Sequence, residues 1–170
     1  ILSRFFKTGK GQYGEGDVFL GIPVPQQRKV AKKYYDISFN DLQELLNSRI
    51  HEYRLTALVI LVAKYKKAIN EKKLSIFNFY LENTKNINNW DLVDISAPKI
   101  VGEFLFNKDK KILYELARSK NLWERRISIL STFNFIKNNS FEDSNKRNLV
   151  SEVSIKKPVV YNQGKKKIIL

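Results

Sequence analysis

The sequence predicts an all-α protein, an α-solenoid of antiparallel helix pairs, followed by a basic and irregular C-terminal tail. Three observations support this prediction. Apolar residues recur at helical spacing along most of residues 1–143, the connections between helical segments are short, and no stretch alternates apolar and polar residues as a strand does. Helices of about 10–20 residues joined by short turns form antiparallel hairpins, and such hairpins can stack into a solenoid.

Each helix has its own signal. A short basic helix at 26–35 follows Pro23 and Pro25, and Ser38 with Asp41 three residues later is a capping signal for a helix that ends near Asn47. The clearest apolar periodicity covers about 49–68, whereas 72–83 is apolar on most sides, which predicts a buried helix. Further helices are predicted at about 89–97, 98–106, 109–119 and 121–138.

The composition excludes several classes of site. The 170 residues, enough for one domain, include no cysteine, so disulfides, thiolate metal sites and a cysteine nucleophile are ruled out. A single histidine, His51, is too few for a His-rich zinc site, and we expect neither a metal nor a cofactor. No apolar run is long enough for a membrane span, so we expect no membrane association. The chain lacks Met, even at position 1, and we expect it to be N-terminally incomplete.

The charge points to a polyanionic partner. The formal net charge is +14, which favours nucleic acid first and a membrane surface second, although AT-rich coding would also enrich lysine. Residues 144–170 hold seven basic residues and one acidic residue, or +6 of that total. We therefore expect a helical domain at 1–143 and a disordered basic arm at 144–170 that binds phosphates, with a merely solvated or aberrant terminus as the alternative.

Two short motifs are rejected as enzyme signatures. Gly9, Gly11 and Gly14 fit the pattern G-x-G-x-x-G, but no strand precedes them and no βαβ unit surrounds them, so a dinucleotide site is excluded. The stretch is either a flexible basic loop near DNA or only a connection. His51-Glu52 is not a zinc motif because position 55 is Leu, and both residues are expected on a helix surface or in contacts between helices.

The segment Asn89-Trp90-Asp91-Leu92-Val93-Asp94 is the most informative one. Asn89 is suited to cap a helix, and Asp94 lies four residues after Trp90, so the two share one face, away from the apolar side. An exposed tryptophan beside a carboxylate suggests a site. The ordinary alternative is a tryptophan packed on a neighbouring helix and an aspartate in a surface ion pair.

The last predicted helix adds an arginine. On a helical wheel Arg126 falls in the middle of an arc formed by Leu122, Trp123, Ile129, Leu130 and Phe133. A guanidinium there requires a carboxylate, a phosphate or a cleft open to water, and a helix-end carboxylate is the ordinary alternative. Arg125 lies on the flank and is expected to be solvated.

Four segments together resemble one family. They are Arg4-Phe5-Phe6-Lys7, residues 19–29 (FLGIPVPQQRK), residues 89–94 and residues 122–126 (LWERR). In order and spacing over about 1–143 they resemble the DNA alkylation repair family of AlkD-type DNA glycosylases, which are built from HEAT-like helical repeats.

The resemblance implies a curved HEAT-like solenoid that holds duplex DNA in a basic groove. It implies a monofunctional enzyme that removes N3- or N7-alkylated purines, leaves an abasic site and needs no metal or cofactor. The family's Trp and Asp, four apart on one helix, and its Arg on a later helix correspond to Trp90, Asp94 and Arg126. In these roles Asp94 stabilises the sugar cation, Trp90 stacks on the lesioned nucleotide and Arg126 holds a phosphate.

The resemblance ends after Phe141-Glu142-Asp143, where the family continues with further helices, one of which carries a second active-site Trp. We therefore also expect a C-terminally incomplete member, and two alternatives stay open: a non-catalytic basic helical-repeat protein that binds nucleic acid, and an inactive truncated product. The expected protein is a cytoplasmic monomer associated with the nucleoid through DNA. The expected contacts to the DNA backbone are Lys7, Lys10, Arg28, Lys29, Lys32 and Arg125.

Overall fold

The structure is a computed structural model that describes residues 6–138, 161–163 and 166–168. Residues 24–138 are mostly helical, as predicted, whereas residues 6–23 form turns and a loop. The helices are α1 (Val24–Lys33), α2 (Phe39–Asn47), α3 (His51–Lys67), α4 (Asn70–Glu82), α5 (Trp90–Ala97), α6 (Glu103–Leu105), α7 (Lys111–Ala117) and α8 (Leu122–Lys137), with a 3₁₀ turn at Thr84–Asn86 and a π-helical turn at Pro98–Gly102.

The helix starts follow from local capping. Ser38 and Asp41 form the predicted capping box of α2, in which the Asp41 N–H donates to the Ser38 hydroxyl and the Ser38 N–H donates to the Asp41 carboxylate. The side chain of Asn89 accepts the N–H of Trp90 at 2.8 Å, and that of Asn121 accepts the N–H of Trp123 at 2.9 Å. These two caps fix where the helices of the candidate site begin.

The segment predicted as a separate helix at 98–106 instead continues α5. Pro98 has no N–H to donate within a helix, and the chain passes it through a π-helical turn before resuming as α6. Gly102 ends this turn. Its backbone lies so close to α8 that a Cβ at this position would overlap the carbonyl oxygen of Ser131. The interruption therefore lets α5 and the π turn pack continuously against α8.

The core lies between α3, α5 and α8. Helix α3 packs against α1, α2 and α5, and α8 packs against α5, the π turn and α7. The fully buried side chains include Leu58 and Leu61 of α3, Leu92 and Val93 of α5, and Ile127 of α8. Helix α4 is less enclosed than predicted, because only one side of it is buried and Leu74 is 47% exposed.

Two buried hydrogen bonds join neighbouring helices. The Tyr80 hydroxyl of α4 lies 2.9 Å from the Ser96 hydroxyl of α5, and the Ser128 hydroxyl of α8 donates to the Leu113 carbonyl of α7 at 2.7 Å. Each bond satisfies polar atoms that would otherwise be unpaired in the interior, so these serines are part of the packed interface rather than surface positions.

The tail predicted at 144–170 is described only in part. Two strands, β1 (Tyr161–Gln163) and β2 (Lys166–Ile168), pair in antiparallel register, which the sequence analysis did not predict. The sequence carried a weak signal for this pair, because β-forming Tyr161 and Ile168 lie on either side of Gly164. The other residues of the predicted arm lie outside the described residues, and no helix of the described part is long and apolar enough to cross a membrane.

Candidate functional site

The structure pairs two of the three predicted site residues directly. Arg126 Nε donates to Asp94 Oδ1 at 2.9 Å, and Arg126 Nη2 donates to Asp94 Oδ2 at 3.0 Å. The Asp94 side chain remains 38% exposed and that of Arg126 21% exposed. The two bonds fix the plane of the carboxylate on the surface between α5 and α8 while leaving part of it open to solvent.

Helical spacing explains why Asp94 lies at this edge. Helix α5 buries Leu92, Val93, Ser96 and Ala97. Asp94 follows the buried Val93 by one position, about 100° around the helix, and so falls at the margin of the buried face. It lies one turn from Trp90 and reaches the neighbouring α8.

The apolar arc around Arg126 is not the most buried face of α8. Leu130 of this arc is buried, but Leu122 is 38% and Phe133 46% exposed. The buried face instead carries Ile127, Ser128 and Ser131, and both serines donate to backbone carbonyls. A scan for apolar residues overlooked this face because hydrogen-bonded serines occupy it. Arg126 is therefore at the margin of the interface, in contact with a carboxylate as predicted.

Trp90 was predicted to lie on an exposed face, but the ring of Phe6 covers part of it. Its ring stacks on Phe6, with centroids 5.8 Å apart, and Phe6 in turn stacks on Phe19 at 4.8 Å. The His51 ring lies 4.7 Å from Phe19 and 5.0 Å from Phe6. These contacts place Trp90 at the end of a stack of aromatic rings, which we call the aromatic stack (Phe19, Phe6, Trp90 and His51). The residue is only partly buried, so part of the indole remains accessible.

The N-terminal segment that contains the glycine-rich loop contacts both helices of the candidate site, α5 and α8. The Gly14 N–H donates to the Lys7 carbonyl at 2.8 Å, and a Cβ at Gly14 would press against that same oxygen. The turn it closes holds Tyr13 with its ring 5.7 Å from that of Trp123 on α8 and edge-on to it. Since Phe6 contacts α5 and Tyr13 contacts α8, the N-terminal segment spans both helices that carry the Asp94–Arg126 pair. Lys7 and Lys10 are exposed on this loop.

A buried ionic network holds the same segment against α3 and joins α3 to α5. His51 Nε2 lies 2.8 Å from Asp91 Oδ2 and Nδ1 lies 3.6 Å from Asp17 Oδ2, while Arg54 Nη2 donates to Asp17 Oδ1 at 2.7 Å. Burial opposes ionisation of His51, but the neighbouring carboxylates of Asp17 and Asp91 outweigh it and raise the pKa of His51. Burial likewise opposes ionisation of Asp17, yet its contacts with His51 and Arg54 lower the pKa of this carboxyl group.

His51 and Glu52 are therefore not surface residues, since each is 2% exposed. His51 makes the contacts between helices that were the second expectation. The Glu52 carboxylate accepts the backbone N–H groups of Leu20 at 3.0 Å and Gly21 at 2.8 Å. Gly21 has a φ of 81°, which a residue without a side chain adopts at no steric cost. Both residues hold the segment that leads into α1.

Arg125 is only partly exposed, whereas it was expected to be solvated. Its Nη1 donates to the carbonyls of Ser119 at 2.8 Å and Lys120 at 3.0 Å, so it caps the chain between α7 and α8. Arg28, Lys29 and Lys32 are exposed on α1, as a phosphate-binding role requires. The structure thus gathers Trp90, Asp94 and Arg126 at one place and leaves the three α1 cations on another helix.

The sequence analysis missed the aromatic stack and the ionic network. Asp17 and Arg54 carried no motif that marked them, and Phe19 was marked only as part of the family resemblance. The importance of these residues comes from contacts with other segments of the chain. The one available signal was His51, a lone histidine at the start of the most apolar helix.

Fold and site together define a helical protein with a half-exposed aspartate, fixed by an arginine, beside a tryptophan in a strongly basic chain. The model of the DNA alkylation repair enzyme family matches residues 1–153. The chain belongs to that family, and the match runs beyond the boundary predicted at residue 143. No curated protein and no solved structure matches the chain.

Proposed function

We propose that this protein is a monofunctional DNA glycosylase that hydrolyses the N-glycosidic bond of N3- or N7-alkylated purines in duplex DNA and leaves an abasic site. Its membership in a DNA alkylation repair family supports this proposal. The observation that carries it is the half-exposed Asp94 carboxylate, oriented by Arg126 one helical turn from Trp90.

The chemistry requires few groups. A purine alkylated at N3 or N7 is already cationic, so it departs as a neutral base with the electrons of the glycosidic bond and needs no general acid. The sugar becomes oxocarbenium-like at C1′, water adds there, and the water loses one proton. A carboxylate 4 Å from that charge stabilises it by about 4 kcal/mol at an effective dielectric constant near 20. Such a stabilisation corresponds to roughly a thousandfold in rate. Asp94 supplies the carboxylate and orients the water.

Trp90 provides an aromatic surface beside Asp94. An aromatic face next to a cationic base contributes about 0.5–2 kcal/mol. One face of Trp90 stacks on Phe6, and the aromatic stack holds the ring in place before DNA binds. The accessible part of the indole contacts the lesioned nucleotide in this proposal.

Arg126 links the carboxylate to the DNA backbone. Its bonds to Asp94 use Nε and Nη2, so the two N–H donors of Nη1 are left for a phosphate oxygen. When a phosphate shares the guanidinium charge, the guanidinium cancels less of the Asp94 charge. The field of Asp94 at the sugar therefore strengthens as the DNA is seated.

The same proposal includes the shape of the fold, the oligomeric state, the location of the protein and its contacts with the DNA backbone. The helices form a HEAT-like α-solenoid, which is supported by the packing of α1 and α2 on α3, of α3 on α5, and of α5 and α7 on α8. The protein acts as a monomer on duplex DNA in the cytoplasm, at the nucleoid. Its backbone contacts are Lys7, Lys10, Arg28, Lys29, Lys32 and Arg125.

The test is single-turnover release of 7-methylguanine from methylated duplex DNA. Asp94→Asn should keep the thermal melt and duplex binding but slow release by roughly a thousandfold, because the amide cannot stabilise a cation. The matched control is Asp109→Asn, an exposed position just before α7, which should leave release unchanged.

Unchanged release by Asp94→Asn would exclude this assignment. If the wild-type protein melts cooperatively and binds duplex DNA without releasing base, the non-catalytic nucleic-acid-binding alternative is correct. A broad melt without binding would indicate the inactive product.

A further inference from the structure

Helices α1 and α3 lie side by side with the same direction. At one end Glu52, in the first turn of α3, binds the backbone of Leu20 and Gly21, just before α1 begins. At the other end Tyr35, just after α1, lies under the ammonium groups of Lys64 and Lys67 in the last turn of α3, at 5.0 Å and 4.4 Å from the ring centroid. The carboxyl ends of both helices therefore meet at one place.

This place concentrates positive charge. The last turn of α1 contains two lysines and the last turn of α3 contains three. We call these five residues the lysine cluster: Lys32, Lys33, Lys64, Lys66 and Lys67. In the described part of the chain, none of the five forms a salt bridge.

Helix dipoles account for only part of this charge. Each helix carboxyl end carries about −0.5 charge, so two ends offset about one of the five positive charges. Asp36, exposed in the turn after α1, offsets one more. About three positive charges remain without a counter-charge, and the Tyr35 ring holds two of the lysines, Lys64 and Lys67, close together. Such an arrangement fits a ligand that carries several negative charges in a row.

The cluster continues the basic face of α1. Arg28, Lys29 and Lys32 fall within about 100° of one another on the helix, so they form one strip that runs toward the carboxyl end. The opposite end of α3 belongs to the candidate site, since His51 contacts Asp91, the neighbour of Trp90. The 17 residues of α3 extend about 25 Å, which is the length of about seven base-pair steps of duplex.

We propose that the lysine cluster binds the phosphate backbone of duplex DNA about seven base pairs to one side of the lesion. This inference rests on the proposed function, because the distance is counted from the Trp90–Asp94 site. The regular spacing of backbone phosphates suits a strip of cations along α1 that ends in a cluster. The Tyr35 ring organises Lys64 and Lys67 before DNA arrives.

The test compares two doubly neutralised variants with equal net charge. Lys64→Gln with Lys67→Gln removes two charges from the cluster, and Lys111→Gln with Lys137→Gln removes two exposed charges elsewhere. Binding to a 24-base-pair duplex is measured by fluorescence anisotropy over a range of salt concentrations. The cluster variant should lower the slope of log K against log salt by about 1.8, which corresponds to two lost phosphate contacts, and the control should not.

A conservative variant separates charge from folding. Lys64→Arg with Lys67→Arg should restore the wild-type slope, and thermal melts should show that all variants fold. The salt slope is independent of base release. A wild-type protein that releases no 7-methylguanine but shows this difference in slope would therefore contradict the proposed glycosylase and support the lysine cluster as a DNA contact.

Two outcomes would overturn the inference. Equal slopes for the cluster and control variants would show that the cluster does not contact the backbone. If the cluster variant loses binding to phosphatidylserine vesicles while its DNA slope stays unchanged, the partner of the cluster is an anionic membrane surface instead.

Discussion

Arg126 of α8 holds Asp94 of α5 through two parallel hydrogen bonds of 2.9 Å and 3.0 Å. Residues 32 positions apart in sequence thus set the orientation of one carboxylate, and neither side chain is fully buried. This pair is the point where the fold and the proposed chemistry meet, because the packing of α5 on α8 sets how the carboxylate faces the surface.

Loss of the fork, meaning the two parallel bonds that the Arg126 guanidinium donates to Asp94, should slow base release more than it lowers the free energy of unfolding. Arg126→Lys keeps the charge but cannot make two parallel bonds, so we expect base release to slow at least tenfold while the free energy of unfolding changes by about 1 kcal/mol or less. Single-turnover release and a urea melt measure the two effects. Arg49→Lys, at an exposed position before α3, is the control, and an equal loss of activity in both variants would contradict a special role for the fork.

The buried ionic network should give stability a defined pH range. The pKa of His51 is raised above 6.5, so its contribution is complete below pH 6.5 and is lost as pH rises through the higher folded pKa. The pKa of Asp17 is lowered below 3.8, so its contribution is present above pH 3.8 and is lost as pH falls through the lower folded pKa. The network therefore stabilises most between pH 3.8 and 6.5.

Urea melts across pH would measure this dependence. His51→Gln should remove the decline that begins above pH 6.5 and leave the acid side in place. A wild-type stability that is flat from pH 6 to 9 would show that folding does not raise the pKa of His51.

Glu52 should be a main anchor of the segment before α1. Its carboxylate accepts two backbone N–H groups, and Glu52→Ala leaves both without that partner, which should cost about 2 kcal/mol or more. Glu52→Gln keeps one acceptor oxygen and should lose less. Chemical denaturation measures the cost, with exposed Glu44→Ala as the control, and equal stability of Glu52→Ala and the control would refute the anchor.

Gly102 should tolerate no side chain. A Cβ there overlaps the Ser131 carbonyl and presses on Asn134 of α8, so Gly102→Ala should destabilise the fold by about 1–3 kcal/mol. At Gly9 a Cβ meets only the flexible end of Gln12, and Gly9→Ala should be nearly neutral. Thermal melts of the two variants measure the difference in stability. A Gly102→Ala protein as stable as wild type would mean that the contact between the π turn and α8 relaxes freely.

Local sequence signals predicted where helices begin, but they did not predict which side chains are covered by distant segments of the chain. Ser38 with Asp41 fixed the start of α2, and Asn89 fixed that of α5, because caps depend on residues three positions apart or fewer. The same reasoning placed Trp90 and Asp94 on one face and required a partner for Arg126. It could not show that Phe6 covers Trp90 or that Asp17 reaches His51, because those contacts join segments that carry no shared local pattern.

The contact between Tyr13 and Trp123 also limits how early in synthesis the N-terminal loop can dock. The two residues are 110 positions apart, so Tyr13 leaves the ribosome long before its partner is synthesised. At translation rates of about 5–20 residues per second, the interval is about 6–22 s. During that time α1 to α4 are available to pack together, while the N-terminal loop has no α8 on which to settle. Docking of the loop is therefore a late event of biogenesis, and the site is completed only once α8 has formed.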